Sequence, residues 1–148
     1  MNTLTNRVAG TLFCVLVALS SMASAQNARD ARSLREECSA ESQDGMRDCL
    51  AQRGQASEVK LNQALAQARR KIDQWDEDAK YQARAKALLD TAHKSFARYR
   101  SAHCAFSAAL GGGAIGNALE LRRLACQAEL NNQRAAQLVQ AAAEIPGK

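Results

Sequence analysis

The residues of this chain whose types could do chemistry are few: His93 and His103, the acidic run Asp76-Glu77-Asp78, the triple glycine Gly111-Gly112-Gly113, and the cysteines. The two histidines are the only ones. On a helix their spacing leaves them about 80° apart at 100° per residue, which is not the i, i+4 geometry of a metal pair. No Ser-His-Asp or Cys-His arrangement is suggested, because the cysteines are expected to be oxidised. Three consecutive acids can be imagined as catalytic carboxylates, but at the start of a helix they more simply complement its positive end. The glycines lack the fuller pattern and the preceding strand of a phosphate-binding loop, so they read as a loop between helices. No enzymatic activity, metal or cofactor is expected.

Beyond the first 25 residues four cysteines remain: Cys38, Cys49, Cys104 and Cys126. An even number in a small exported protein argues for two disulfides. Three pairings exist, and Cys38–Cys49 with Cys104–Cys126 is preferred because it closes the short loops. Each bridge would add roughly 3 kcal/mol by restricting the unfolded chain. A zinc site is disfavoured, since no two of these cysteines stand two to four residues apart.

The disulfide argument needs an oxidising compartment, and the N-terminus supplies a route to one. Arg7 gives a positive start, residues 8–19 form an apolar run too short to span a bilayer, and Ala23-Ser24-Ala25 offers small residues before a cut ahead of Gln26. Residues 1–25 therefore read as a signal peptide and residues 26–148 as a single helical domain, periplasmic or secreted, with no stable membrane anchor after cleavage. Cys14 follows the bulky Phe13 inside a continuing apolar run, so it is not read as a lipid-bearing cysteine and leaves with the peptide. Among the charged residues only Arg7 is lost, and a net charge of +5 becomes +4. Basic residues alternate with acids and no aromatic platform interleaves them, which argues against nucleic acid as a partner. The charge allows weak attraction to anionic envelope polymers or lipid surfaces.

The elements that must position these residues are helices throughout. The single proline stands at position 146, and Ala, Gln, Arg, Leu and Glu are abundant. Tyr81, Ala85, Leu88, Ala92, Phe96, Tyr99, His103, Phe106 and Leu110 recur at steps of three and four. This predicts one helical face held for about eight turns, roughly 45 Å long, which other helices are expected to cover. Upstream, Met46, Cys49, Leu50, Val59, Leu61, Leu65, Ala68, Ile72 and Trp75 predict a second long helix with Asp44 as N-cap and Gly54 as a tolerated surface glycine. Downstream, Ile115, Leu119, Cys126, Leu130 and Leu138 predict a last helix, interrupted in pattern by Arg122, Gln133 and Gln137. Residues 26–37 are a mobile start or a short helix. The expected fold is all-α: a small disulfide-stapled bundle of three long helices with a short N-terminal helix or arm. Arg100 and Arg134 stand beside the expected core faces. Each is either a snorkelling stem with its head in water or a partly buried partner of an acid such as Glu129.

Several of these residues stand together in a known pattern. Cys38, then Met46-Arg47-Asp48-Cys49, then Leu61-Asn62 are followed by Phe96-Ala97-Arg98-Tyr99-Arg100-Ser101-Ala102-His103-Cys104, by the glycine run, by Cys126, and by Arg134 and Leu138. Over residues 38–138 the chain resembles the LprI-like lysozyme-inhibitor family of small exported bacterial proteins. It departs from the family at Phe96, where a Trp is usual, and at Ser101, where an Asp is usual and could have partnered an arginine. The resemblance implies a non-enzymatic envelope protein that blocks lysozyme by occupying its cleft, with lysozyme or another envelope protein as partner. The alternative is a structural or interaction module of the periplasm. An inhibitor of this kind would offer hydrogen-bond donors to the two carboxylates of the lysozyme cleft. The expected partner-binding loop is Gly111, Gly112, Gly113 through Asn117: glycine backbone N–H groups are unobstructed, and Asn117 adds a side-chain amide.

Overall fold

In a computed structural model, residues 30–40, 42–114 and 116–147 are described. The expected signal peptide lies outside them, as does Ile115. Four helices are found among the described residues: α1 (Ala31–Glu37), α2 (Gln43–Asp73), α3 (Ala79–Ala109) and α4 (Ala118–Ala143). The fold is the all-α bundle of three long helices and a short first one. A lone antiparallel bridge between Trp75 and Gly147 is its one piece of extended pairing there.

The helix ends follow local chemistry. Asp30 caps α1 by accepting from the Ser33 N–H at 2.7 Å. Ser42, rather than the expected Asp44, caps α2 by accepting from the Gly45 N–H at 3.2 Å, and Asp44 lies in the first turn. Asp78 holds the N-cap position of α3 without a side-chain cap bond. Gln82 secures that turn instead, its amide donating to the carbonyls of Trp75 at 2.9 Å and Glu77 at 3.1 Å. Gly54 meets nothing where a Cβ would stand, in keeping with a tolerated surface glycine.

The helix around which the others gather is α4. It packs against α1, α2 and α3, most extensively against α2. Leu50 shares a buried cluster with Leu121, Ala125 and Ala128, while Leu61 and Leu65 share another with Ala135 and Leu138. Helices α2 and α4 therefore run parallel. Cys104 meets Cys126, and Phe96 packs against the clusters that hold Leu130 and Leu138, so α3 runs antiparallel to both. The α2–α4 seam is rich in alanine: Ala125 and Ala128 share the Leu50 cluster and Ala64 and Ala135 the Leu61 cluster, and with Ala68 all are 5 % exposed or less. Small side chains let two helix backbones approach closely, so dispersion contacts replace bulk.

Two expected faces turn out differently. Of the expected α3 face, Phe96 packs inward but most of the other large residues do not. Tyr81, Leu88, Tyr99, Phe106 and Leu110 are all exposed, from 46 % to 66 %. The covered side carries Gln82, Lys86, Leu89, His93, Phe96, Arg100 and Cys104, of which Cys104 alone is fully buried. Because α3 covers only one flank of the α2–α4 pair, a narrow strip suffices and its larger residues remain outside. On α2, Val59 is likewise exposed, at 57 %. Both disulfides form, Cys38–Cys49 with Cα atoms 5.8 Å apart and Cys104–Cys126 at 5.6 Å. Cys38 and Cys104 are fully buried.

Candidate functional site

Three places could carry function: the loop at the stapled end, a polar knot in the bundle centre, and a groove between α3 and α4. The loop spans residues 110–117. Gly112 (φ 58°) and Gly116 (φ 70°) adopt the left-handed region that favours glycine. Gly112 and Gly113 stand open, while a Cβ on Gly111 would run into the Leu119 side chain and the Ala108 carbonyl. The donors expected here are largely spent inside the protein. The Gly111 N–H donates to the Ala108 carbonyl at 2.9 Å, and the Gly112 N–H to that of Ala109 at 3.0 Å. The Ala114 N–H in turn donates to the Gly111 carbonyl at 3.2 Å. These bonds satisfy carbonyls that the end of α3 would otherwise leave unpaired. The Asn117 amide reaches toward Asp44 Oδ1 at 3.4 Å. What the loop presents outward is its open glycine tip and the exposed side chains of Leu110 and Phe106.

Beside it, Glu120 in the first turn of α4 is gripped by both ends of the Arg123 guanidinium, Nε reaching Oε2 at 2.8 Å and Nη2 reaching Oε1. The Arg123 hydrogen bonds hold the Glu120 carboxyl below the usual carboxylate range. Besides this closed ion pair, Arg122 stands at the loop base, its Cδ 3.4 Å from where a Cβ on Gly111 would lie.

The polar knot ties α2, α3 and α4 together. Asn131 is 2 % exposed. Its amide nitrogen donates to Ser57 Oγ at 3.1 Å and Glu58 Oε2 at 3.0 Å, and its oxygen accepts from Arg100 Nη1 at 2.5 Å. The same Arg100 nitrogen donates to Glu58 Oε2 at 2.8 Å, and Ser57 Oγ donates to the Gly54 carbonyl at 2.7 Å. Arg100 also lies over the Phe96 ring, 5.9 Å from its centroid. Of the two readings of Arg100, the paired one holds, but its acid is Glu58; Glu129 accepts from Gln133 at 2.9 Å instead. The exposed Ser101 takes no part, so the absent Asp leaves Arg100 with a partner all the same. Sequence reasoning missed Ser57, Glu58 and Asn131. The available signal was a polar residue in buried phase: Asn131 stands three residues after Ala128 and four before Ala135. The knot is structural, since its donors and acceptors answer one another.

The groove has a volume of about 310 Å³ and is lined by Phe96, Tyr99, Leu130, Gln133, Arg134 and Gln137. Arg134 reaches Gln137 Oε1 at 3.4 Å, and its Nε is covered with no hydrogen-bond partner. His93 Nδ1 is similarly covered and unpartnered. His103 is exposed and stacks on Tyr99 with ring centroids 5.3 Å apart, so the two histidines stand in different surroundings. Among the described residues no three His, Cys, Asp or Glu side chains gather into a metal-binding group, and no helix is long and apolar enough to cross a membrane.

Among curated proteins and among solved structures, none matches the chain significantly. The model of one protein family, described as lysozyme inhibitor LprI, does match, over residues 33–138. That span runs from α1 to the last buried leucine of α4, through all four cysteines, both bridges and the glycine loop, and the chain belongs to the LprI lysozyme inhibitor family.

Proposed function

We propose that the protein is exported to the periplasm or beyond, and that it binds lysozyme there and obstructs its cleft without chemistry of its own. Family membership carries this reading. The two disulfides favour an oxidising compartment, in line with a signal peptide at residues 1–25.

The partner-binding element we propose is the loop Gly111, Gly112, Gly113 to Asn117, together with Leu110 and Phe106 at its approach. A cleft is filled by something that protrudes, and this loop is an open tip at the end of the bundle. The Cys104–Cys126 bridge anchors its base, which limits the ordering cost on binding. Because the Gly111 and Gly112 N–H groups are engaged within the chain, the tip would act through shape and apolar contact more than by donating to the cleft carboxylates. Net charge opposes fast association with a basic lysozyme, so the complex would form slowly at low salt and faster as salt screens the repulsion.

The test is a turbidity assay of cell-wall lysis by lysozyme with increasing amounts of the exported protein at two salt concentrations. Dose-dependent inhibition that disappears when residues 111–117 are replaced by a neutral linker supports both the activity and its site. Inhibition that survives the replacement moves the site elsewhere. No inhibition at large molar excess by folded, bridged protein leaves the interaction-module reading in its place.

A further inference from the structure

The exposed side of α3 is unlike the rest of the surface. Tyr81, Leu88, Tyr99 and Phe106 fall within about 20° of one another around the helix axis at 100° per residue, and all are 46–60 % exposed. With Leu110 at the end they form a stripe about 44 Å long at 1.5 Å per residue. Arg84 and Arg98 follow round one flank of this stripe and Lys94 lies farther round, one turn from Asp90, whose carboxyl it helps to lower; all three are exposed. The one acid of α3, Asp90, lies on the other side of the helix, held by Arg69. Lys86 is likewise turned inward, onto Asp73 at 2.6 Å. The face is therefore apolar and aromatic at its centre and cationic along one margin, while the exposed acids Asp76, Glu77 and Asp78 stand at its Tyr81 end. It is a convex ridge along one straight helix.

We infer that this face of α3 is a docking surface for an anionic lipid bilayer, on which the protein adsorbs lengthwise. Charge and shape select this occupant. A second copy is disfavoured: the midpoint of the face is near Ser95, so antiparallel pairing would bring the Lys94–Arg98 flanks of the two copies together, and parallel pairing would offer the cations no acid, since Asp90 is held by Arg69. A basic protein meets the same repulsion. A flat anionic surface can touch all five apolar residues at once, while the long cationic stems reach the lipid phosphates from the side. The stripe is discontinuous and holds few large residues, so adsorption is reversible and depends on both charge and rings. The face shares Phe106 and Leu110 with the proposed lysozyme-binding tip and is distinguished from it by Tyr81, Leu88, Tyr99 and the cations.

Co-sedimentation of the exported protein with vesicles tests this. Binding is expected to phosphatidylcholine vesicles containing about one-third phosphatidylglycerol, to fall steeply with salt, and to be absent with phosphatidylcholine alone. Replacing Arg84→Gln, Lys94→Gln and Arg98→Gln together should weaken binding on the order of 100-fold, about fivefold per cation. Replacing Leu88→Ser, Tyr99→Ser and Phe106→Ser should weaken it at least about tenfold. All six positions are exposed, so circular dichroism should find both variants folded. As a readout that does not depend on these variants, Phe106→Trp should give a blue-shifted emission on anionic vesicles. No binding to anionic vesicles, equal binding by the variants, or unchanged Trp emission overturns the proposal. A concentration-dependent dimer lost in the Ser variant overturns it in favour of a second copy.

Discussion

Arg100 of α3 reaches the amide oxygen of Asn131, on α4, at 2.5 Å, and this contact stitches the outer helix of the bundle to its central one. Asn131 is almost wholly buried, and its amide nitrogen is committed to α2 in the same arrangement. A buried polar network earns its place only if each member is satisfied.

Removing one member leaves the others without partners. Asn131→Leu strands Ser57 and the Arg100–Glu58 pair and should cost about 2–3 kcal/mol in urea unfolding. Arg100→Met, which keeps the stem over Phe96 while removing a partly exposed charge, should cost less, about 1 kcal/mol. The double variant should cost less than the sum of the two, and strict additivity would mean that they act through separate contacts rather than one network.

Phe96 touches two of the buried clusters yet is itself only partly buried. Phe96→Ala should therefore cost about 2–3 kcal/mol, at or below the low end for a fully buried ring. A change near zero in chemical denaturation would show that α3 closes over the gap.

Two glycines of the same run, Gly111 and Gly113, separate a crowded position from an open one. Gly111→Ala places a methyl against the Leu119 side chain and 3.1 Å from the Ala108 carbonyl, and should destabilise by about 1–2 kcal/mol. Gly113→Ala meets open space at an ordinary φ and should be close to neutral. Thermal melts of the pair read the difference directly.

Acid should weaken the fold in a defined window. Asp30, Asp90 and Glu120 have carboxyls held below their ordinary range, by the Ser33 N–H, by Arg69 and by Arg123 respectively. A depressed folded-state value means stability that is present above the unfolded values, near 3.8 for Asp and 4.5 for Glu, and lost as pH falls through the folded ones. The melting temperature should be flat from pH 7 to about 5 and fall below about 4.5. Arg123→Gln should lower it at pH 7, and by less as pH falls through the folded value of Glu120.

Element number, the long uninterrupted helices and the loop were legible because proline is missing from the helical stretches and three glycines stand together. The disulfide pairing was legible because short loops close most easily and both cysteine pairs flank a turn. Which face of α3 is covered was not. Side-chain size suggested Tyr99 and Phe106, but the strip that packs uses Leu89, Phe96, Cys104 and the stems of Lys86 and Arg100. The primacy of α4 was hidden for a related reason. Alanines carry little hydropathy, so Ala125, Ala128 and Ala135 leave a weak periodic signal although all three are buried in the core. In the loop, glycine content pointed to free N–H groups, while the end of α3 needed the same groups for its own carbonyls.

Both disulfides lie at one end of the bundle, where α1, the starts of α2 and α4 and the end of α3 meet. The opposite end has no covalent tie among the described residues and is held by the Trp75–Gly147 bridge, the Gln82 amide and the Lys86–Asp73 ion pair. Local opening is therefore graded along the long axis. Amide hydrogens around Ile72, Ala79 and Ala142 should exchange with deuterium well before those around Leu121 to Leu130, and a protease should nick residues 74–78 first. Reduction would erase much of that gradient, so the sequence of exchange, and not only its rate, reports whether the molecule is still oxidised.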